Sequence, residues 1–372
     1  MRIVYVLTSL AMGGTERQVL GIAGRMAARG HAVALLVLKS REPDSCATEL
    51  EVTYLEMDKT VGGLIGGLRR GTAFLGTFQP DVIHSHNFHG NMLARLLRLM
   101  YARGTLISTI HNVYEGGWPR MLAYRLTDRF ARLTTAVSAA VAERYMRRKA
   151  VPGSKCVVVT NGIEIAEFVP DPERRNQMRE QMGVVGEFVW LSVGRITPAK
   201  DFPNLLGAFG RVWRAFPESQ LWIAGEAADD GSGKRKAVLV GMPHGAMDRV
   251  HWLGLRRDIP ALLDGADGFV LSSAWEGMPL ALGEAMAMER PVVATDVGGV
   301  RELVGDAGTI VAAKNSNALA EGMLAMMRLP AEGRAALGGH ARERVCQSFT
   351  MDAKADEWER IYRSVFDPRR GS

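Results

Sequence analysis

The chain has 372 residues, 47% hydrophobic and 23% charged, an ordinary globular composition at a length that predicts two or three domains rather than one. It holds no uninterrupted apolar run of about eighteen residues, so a membrane-spanning helix is not expected and the protein is predicted to be soluble or peripheral. The formal charge of +6 is unevenly shared, because residues 1–166 carry 21 Lys and Arg against 12 Asp and Glu.

The opening Ile3-Val4-Tyr5-Val6-Leu7 reads as a buried first strand rather than a leader, since Gly13-Gly14-Thr15-Glu16 follows without a cleavage site. Short apolar runs then alternate with helical-period segments, the pattern of parallel sheets covered on both faces. In the first half this predicts strands at 2–7, 32–37, 81–84, 105–110, 133–137 and 156–159, with helices that include 15–29 and 139–148. Cationic side chains crowd between Arg95 and Lys149. Such charge suits an anionic membrane face or a phosphate-bearing acceptor, although solvated helix faces would carry it equally well. Nucleic acid is disfavoured, because no aromatic-interleaved basic patch accompanies the charge.

A polar stretch at 161–175, with Pro170 and Pro172, predicts a domain junction before a second α/β series. Its expected strands are 188–193, 220–224, 250–253, 268–271, 291–294 and 309–311. The expectation is therefore two Rossmann-like units, 1–166 and 167–349. A last helix, 350–366, has Trp358, Ile361, Tyr362 and Val365 at helical spacing and is expected to pack back on the first unit. Cys46, Cys156 and Cys346 are odd in number, far apart and without metal-ligand spacing, which predicts a reducing, cytoplasmic compartment.

Ligands of open α/β sheets bind beyond the carboxyl ends of the strands, so residues just after strands are the candidates. After the first strand, Gly13 and Gly14 allow close backbone approach at a helix start, although the spacing departs from a dinucleotide fingerprint. After the strand near Val193 come Arg195 and Lys200, two cations able to neutralise a diphosphate without a metal. After the strand near Leu271 comes Trp275-Glu276-Gly277-Met278-Pro279-Leu280-Ala281-Leu282-Gly283-Glu284. Either carboxylate can accept two hydrogen bonds from a vicinal diol. With Pro279 expected in the first helical turn, the amides of Met278, Leu280 and Ala281 between the two glutamates form an expected phosphate seat. His84, His86 and His89 lack a supporting carboxylate cluster and read as structural rather than metal-binding. The chain holds no D-x-D pair, and no metal requirement is expected.

Glu276 to Glu284 resembles the E-x7-E element of retaining glycosyltransferases of family 4, the group-1 glycosyl transferases of GT-B architecture. Thr109-Ile110-His111-Asn112, Thr160-Asn161-Gly162, Gly194-Arg195, Gly225-Glu226, Leu253-Gly254 and Thr295-Asp296-Val297-Gly298-Gly299 agree in the same order over nearly the whole chain. The resemblance implies two Rossmann-like domains facing each other across a cleft, the first receiving the acceptor and the second the nucleotide-sugar donor. It implies Arg195 and Lys200 on the diphosphate, Glu284 on the ribose and Glu276 on the transferred sugar. Gly13 and Gly14 would lie against phosphate or sugar, Leu280 and Ala281 would offer amides, and His111 would lie beside the reacting sugar. Met278-Pro279 departs from the Phe-Gly of many members, which removes one amide donor. The implied activity is metal-independent transfer, with retention, from a UDP- or GDP-sugar to a glycan or lipid-linked acceptor in cell-surface polysaccharide or glycolipid synthesis, on or near the inner membrane face. No other cofactor is expected. The alternatives are a sugar-nucleotide epimerase or phosphorylase of the same fold, a non-catalytic polyanion- or membrane-binding protein and, on the residues least supported, a dehydrogenase.

Overall fold

The computed structural model describes residues 1–11, 13–41, 45–58, 60–226 and 244–366. The chain divides into two compact units, Met1–Gly162 joined by the C-terminal helix from Met351, and Ile163–Thr350.

In the first unit the strands are β1 (Arg2–Leu7), β2 (Ala32–Val37), β3 (Glu51–Tyr54), β4 (Val82–His86), β5 (Thr105–Ile110), β6 (Leu133–Ala136) and β7 (Cys156–Val158). They form one parallel sheet in the order β3-β2-β1-β4-β5-β6-β7. Register is set at the centre by Val4 opposite Ile83 and Ile83 opposite Leu106. Residues 3–7 of β1 are fully buried because helices cover both faces of the sheet, which is why the strand reads as a continuous apolar run. Strand β3 was not expected: Glu51-Val52-Thr53-Tyr54 is a half-exposed edge, so no apolar run marks it. Strand β4 runs two residues past its expected end, because the polar Ser85 and His86 find hydrogen-bond partners inside the sheet.

Helices α1 (Gly14–Ala28), α2 (Val61–Phe78), α3 (Asn87–Met100), α4 (Trp118–Thr127) and α5 (Ala139–Arg147) connect these strands. Side-chain oxygens cap two of them, Thr60 accepting from the Gly63 amide at 3.0 Å and Ser138 from that of Val141 at 3.3 Å. One face of the sheet packs on α1 and on the C-terminal helix, where Trp358 and Tyr362 are buried with Tyr5, Val19 and Ile22. The other packs on α2 and α3 through Leu75, Leu93 and Leu97.

The second unit contains α6 (Pro172–Gln181), β8 (Val189–Val193), α7 (Phe202–Ala215), β9 (Gln220–Ala224), α8 (His244–Met247), β10 (Val250–Gly254), α9 (Ile259–Gly265), β11 (Gly268–Leu271), α10 (Leu280–Ala287), β12 (Val292–Thr295), α11 (Val300–Val304), β13 (Thr309–Val311), α12 (Ser316–Arg328) and α13 (Ala331–Ser348). Its strands form a parallel sheet ordered β10-β9-β8-β11-β12-β13. Trp190, Leu205, Phe209, Leu221, Val270 and Met323 fill a core between that sheet and α7 and α12. The chain then ends its described part in α14 (Met351–Val365), the helix that packs on α1. No helix among the described residues is long and apolar enough to cross a membrane.

Candidate functional site

The carboxyl edge of the second sheet gathers stretches that lie far apart in sequence. The central strand β8 ends at Val193, and Gly194 and Arg195 follow before a 3₁₀ turn, Pro198–Lys200, that leads into α7. A β-carbon at Gly194 would meet Lys200 Cε at 2.8 Å, so the lysine stem crosses close over this backbone. A side chain at Gly225 would collide with the Gly194 carbonyl, so the two backbones touch. The Ile196 amide donates to Glu226 O at 2.9 Å and the Gly225 amide to Gly254 O at 2.7 Å, which ties three strand ends together.

Glu276 is 9% exposed, and its Oε1 accepts from Lys200 Nζ at 2.6 Å and from Ser273 Oγ at 2.6 Å. These charge-assisted contacts hold a carboxylate and an ammonium at the strand ends, poised to exchange partners when an anion or a diol arrives. The loop carrying Glu276 is fixed from two sides. Ala274 N donates to Ala199 O at 2.8 Å and Ser272 Oγ to Lys200 O at 2.7 Å. On the other side Thr295 Oγ1 donates to Ser273 O at 2.7 Å, and Gly299 N to Gly277 O at 2.7 Å. Gly298 has a left-handed φ of 54°, and a β-carbon there would strike the Glu276 carbonyl. The structure thus brings Lys200 and Glu276 into contact. Arg195 is exposed beside Gly194 and makes no ion pair among the described residues.

Helix α10 starts at Leu280, so Pro279 occupies the cap position and not the first turn as expected, because its ψ of 114° keeps it extended. The first helical bond runs from Gly283 N to Pro279 O at 3.4 Å, which leaves the amides of Leu280, Ala281 and Leu282 without intrahelical acceptors. The expected seat therefore moves one residue onward: Met278 lies two residues before the helix, and the missing Pro279 donor is outside the first turn. Leu280 and Ala281 are half-buried and Glu284, in the second turn, is 4% exposed, which rules out a solvated helix face for it.

In the first unit, Gly13 caps α1 in extended backbone, and Gly14 opens the helix at an exposed position. The Glu16 carboxylate folds over Gly13 and would have to swing aside for a β-carbon there. His111 follows β5 and is half-buried at the surface, while the protein packed around its ring lowers its pKa to about 3. Its Nε2 shares a hydrogen bond with His86 Nδ1 at 2.9 Å. Its backbone amide donates to Glu115 Oε1 at 3.2 Å, and the other oxygen of Glu115 accepts from Tyr124 OH at 2.8 Å. Burial raises the Glu115 carboxyl to about 7 against those hydrogen bonds. Sequence reasoning gave no role to Glu115 or Ser273, because their contacts depend on how short loops fold back and no motif marks them. His84 is buried between Tyr362 OH at 2.8 Å and Thr109 Oγ1 at 2.7 Å, His86 is buried against His111, and His89 is exposed. No group of three or more His, Cys, Asp and Glu placed to hold a metal ion occurs among the described residues.

Two parallel α/β units, with glycine-lined strand ends and a partly buried Lys-Glu pair in the second, have the GT-B fold of glycosyltransferases. The fold is shared with a solved structure from Anabaena, HepE in complex with UDP, with a TM-score of 0.84 and 22% identity over 98% of this chain and 100% of that one. Residues 12–167 match the family model Glycosyltransferase Family 4, and residues 187–328 match Glycosyl transferases group 1. The chain is 28% identical to the putative glycosyltransferase EpsD of Bacillus subtilis over 78% of each protein. It is 26% identical, over 60% of each, to the Escherichia coli UDP-Gal:alpha-D-GlcNAc-diphosphoundecaprenol alpha-1,3-galactosyltransferase. The chain belongs to glycosyltransferase family 4, the group-1 glycosyl transferases, and is a sugar-transferring enzyme.

Proposed function

We propose that this glycosyltransferase moves a sugar from a UDP- or GDP-sugar to a glycan or lipid-linked acceptor, with retention of anomeric configuration and without a metal, in cell-surface polysaccharide or glycolipid synthesis. The observation that carries the reading is the Lys200–Glu276 contact at 2.6 Å in a loop pinned by the strand-end glycines. In the structure these groups satisfy each other. When the donor binds, Lys200 turns with Arg195 to its diphosphate and Glu276, still held by Ser273, accepts hydroxyls of the sugar.

The amides of Leu280 and Ala281, at the positive end of α10, receive a phosphate oxygen, and Glu284 accepts the ribose hydroxyls. As the bond to the anomeric carbon breaks, negative charge grows on the departing phosphate, where Arg195 and Lys200 stabilise it. The acceptor hydroxyl gives its proton to that phosphate on the same face of the sugar, which keeps the configuration. The first unit is the acceptor domain in this reading. Its Gly14, next to Gly13, offers exposed backbone, and neutral His111 bonds a sugar hydroxyl through the nitrogen left over from His86.

The galactosyltransferase relative is named for a diphosphoundecaprenol-linked acceptor, and the HepE structure contains UDP; both support the donor and acceptor classes. An acceptor of that kind, with the basic first half, supports a cytoplasmic enzyme peripheral to the inner membrane face. Arg195→Ala is expected to cut turnover by about a hundredfold or more while leaving thermal unfolding unchanged. Near-normal turnover would remove the assignment. The anomeric configuration of the product, read by NMR, is expected to match the donor's; inversion would reject retention.

A further inference from the structure

Helices α3 and α4 lie side by side through a buried polar seam, in which Arg95 Nη1 donates to Tyr124 O at 3.0 Å and to Thr127 Oγ1 at 3.0 Å. Their outer faces are unusually apolar. Trp118, Leu122 and Leu126 are 68%, 38% and 66% exposed and form one stripe at four-residue spacing on α4, and Leu96, Leu99 and Met100 are exposed on α3. These six are more than a third of the seventeen large apolar side chains exposed among the described residues. Burial of the opposite faces accounts for folding but leaves this one unexplained.

Charge beside the patch is mainly positive. Neither helix contains an Asp or Glu. Just beyond their carboxyl ends, at the amino ends of β5 and β6, an open concavity of about 380 Å³ is lined by Arg98, Arg129, Arg132 and Lys155 with no carboxylate among its lining residues. The neighbouring Asp128 is buried and accepts from Lys155 at 3.1 Å, so it cancels one cation and leaves the arginines in excess. The concavity opens at the sheet edge opposite the strand ends that carry His111 and is not part of the candidate site.

We infer that the α3–α4 face of the first unit docks on an anionic phospholipid bilayer. Trp118, Leu122 and Leu126 enter the interface between headgroups and acyl chains, while the arginine concavity takes lipid phosphates. A helix with Trp and Leu on one face, flanked only by cations, has the amphipathic form that lies in a membrane surface. Arginine forks fit phosphate oxygens, and their aliphatic stems can cover the apolar rim. The inference deepens the membrane part of the proposed function, and its test reads membrane binding independently of sugar transfer.

The test sediments the full chain with vesicles of phosphatidylcholine alone and of phosphatidylcholine with about 30 mol% phosphatidylglycerol, at low salt and at about 0.5 M salt. Expected are binding at least about tenfold stronger to the anionic vesicles, its loss at high salt, and quenching of tryptophan fluorescence by brominated acyl chains in the wild type. Arg129→Glu with Arg132→Glu should weaken binding by more than about twentyfold, at about fivefold or more per arginine. Trp118→Ala with Leu126→Glu should weaken it by roughly tenfold or more and abolish the quenching. Val185→Glu, at an exposed apolar position in the second unit, should leave binding unchanged. Equal binding to both vesicle types would overturn the inference, as would unaltered binding by the two double variants. Displacement by inorganic phosphate at matched ionic strength would reassign the concavity to a soluble anion. A wild-type dimer dissolved by Trp118→Ala with Leu126→Glu would reassign the patch to self-association. Donor-induced thermal stabilisation should persist in all these variants, so loss of membrane binding is distinguishable from failure of the catalytic reading.

Discussion

Replacing Lys200 by methionine keeps most of the stem that crosses Gly194 and removes only the ammonium beside Glu276. The carboxylate then retains a single side-chain donor among the contacts described, Ser273 Oγ at 2.6 Å, in a position 9% exposed. Exposed pairs are worth about 0–1 kcal/mol, and breaking a fully buried one costs about 3–5 kcal/mol. With side chains 21% and 11% exposed, this pair falls between those limits, at about 2 kcal/mol. For a cooperative unit the size of Ile163–Thr350 that is a fall of roughly 4–8 °C in Tm. Adding Glu276→Gln should restore most of the lost stability, because the uncompensated charge goes with it. Turnover should not recover, since both the phosphate cation and the sugar acceptor are then missing. Calorimetric unfolding of the two single variants and the double variant closes a mutant cycle, with steady-state turnover measured on the same samples. Stabilities that add within about 0.5 kcal/mol would refute the coupling, and near-normal turnover in Lys200→Met would refute the catalytic part.

Glu284→Ala should weaken nucleotide binding by roughly tenfold to a hundredfold in calorimetric titration, as expected for a lost hydrogen bond to a charged group, and unchanged affinity would detach Glu284 from the ribose. Gly298→Ala forces a left-handed φ on a residue whose β-carbon strikes the Glu276 carbonyl, so about 1–3 kcal/mol of stability should be lost along with turnover. The pH dependence of stability should carry the mark of Glu115. Its folded pKa of about 7 lies above the ordinary value of 4.5, so the folded state holds the proton more tightly and loses relative stability as pH rises from 4.5 through 7. Glu115→Gln should remove about 3 kcal/mol of that slope in denaturant unfolding followed across the window, and parallel profiles for wild type and variant would contradict the burial argument. His111 acts in the opposite sense: with a folded pKa near 3, it costs stability as pH falls below about 6.5, an effect that His111→Asn should lessen.

Much of the scaffold was legible in the sequence because parallel strands buried on both faces must be apolar runs, and residues 3–7, 106–107 and 189–191 could serve little else. Strand β3 escaped because Glu51-Val52-Thr53-Tyr54 is an edge with no buried face to pattern it. Lys200, Glu276 and Glu284 are legible as candidates because the alternation marks strand ends and helix starts, and the structure brings the first two into contact there. Gly298 stood in a recognised motif, but its duty under the Glu276 carbonyl depends on how two strand-end loops meet. Pro279 was placed one residue too deep, since proline suits both the cap and the first turn and only ψ separates them. Glu115 was invisible for another reason: its perturbation comes from burial, which only the packed fold creates, and the Tyr124 hydrogen bond works against it. On α3 and α4 the sequence exposed the charge but not which leucines were left outside.

The central claim is a nucleotide-sugar site built on Arg195, Lys200, Glu276 and Glu284, and thermal unfolding against a panel of UDP-, GDP- and ADP-sugars with a chelator present tests it most directly. A UDP- or GDP-sugar is expected to raise Tm by mass action with no metal added, and Arg195→Ala to abolish the shift. No stabilisation by any sugar nucleotide, or stabilisation only when a divalent metal is supplied, would contradict it.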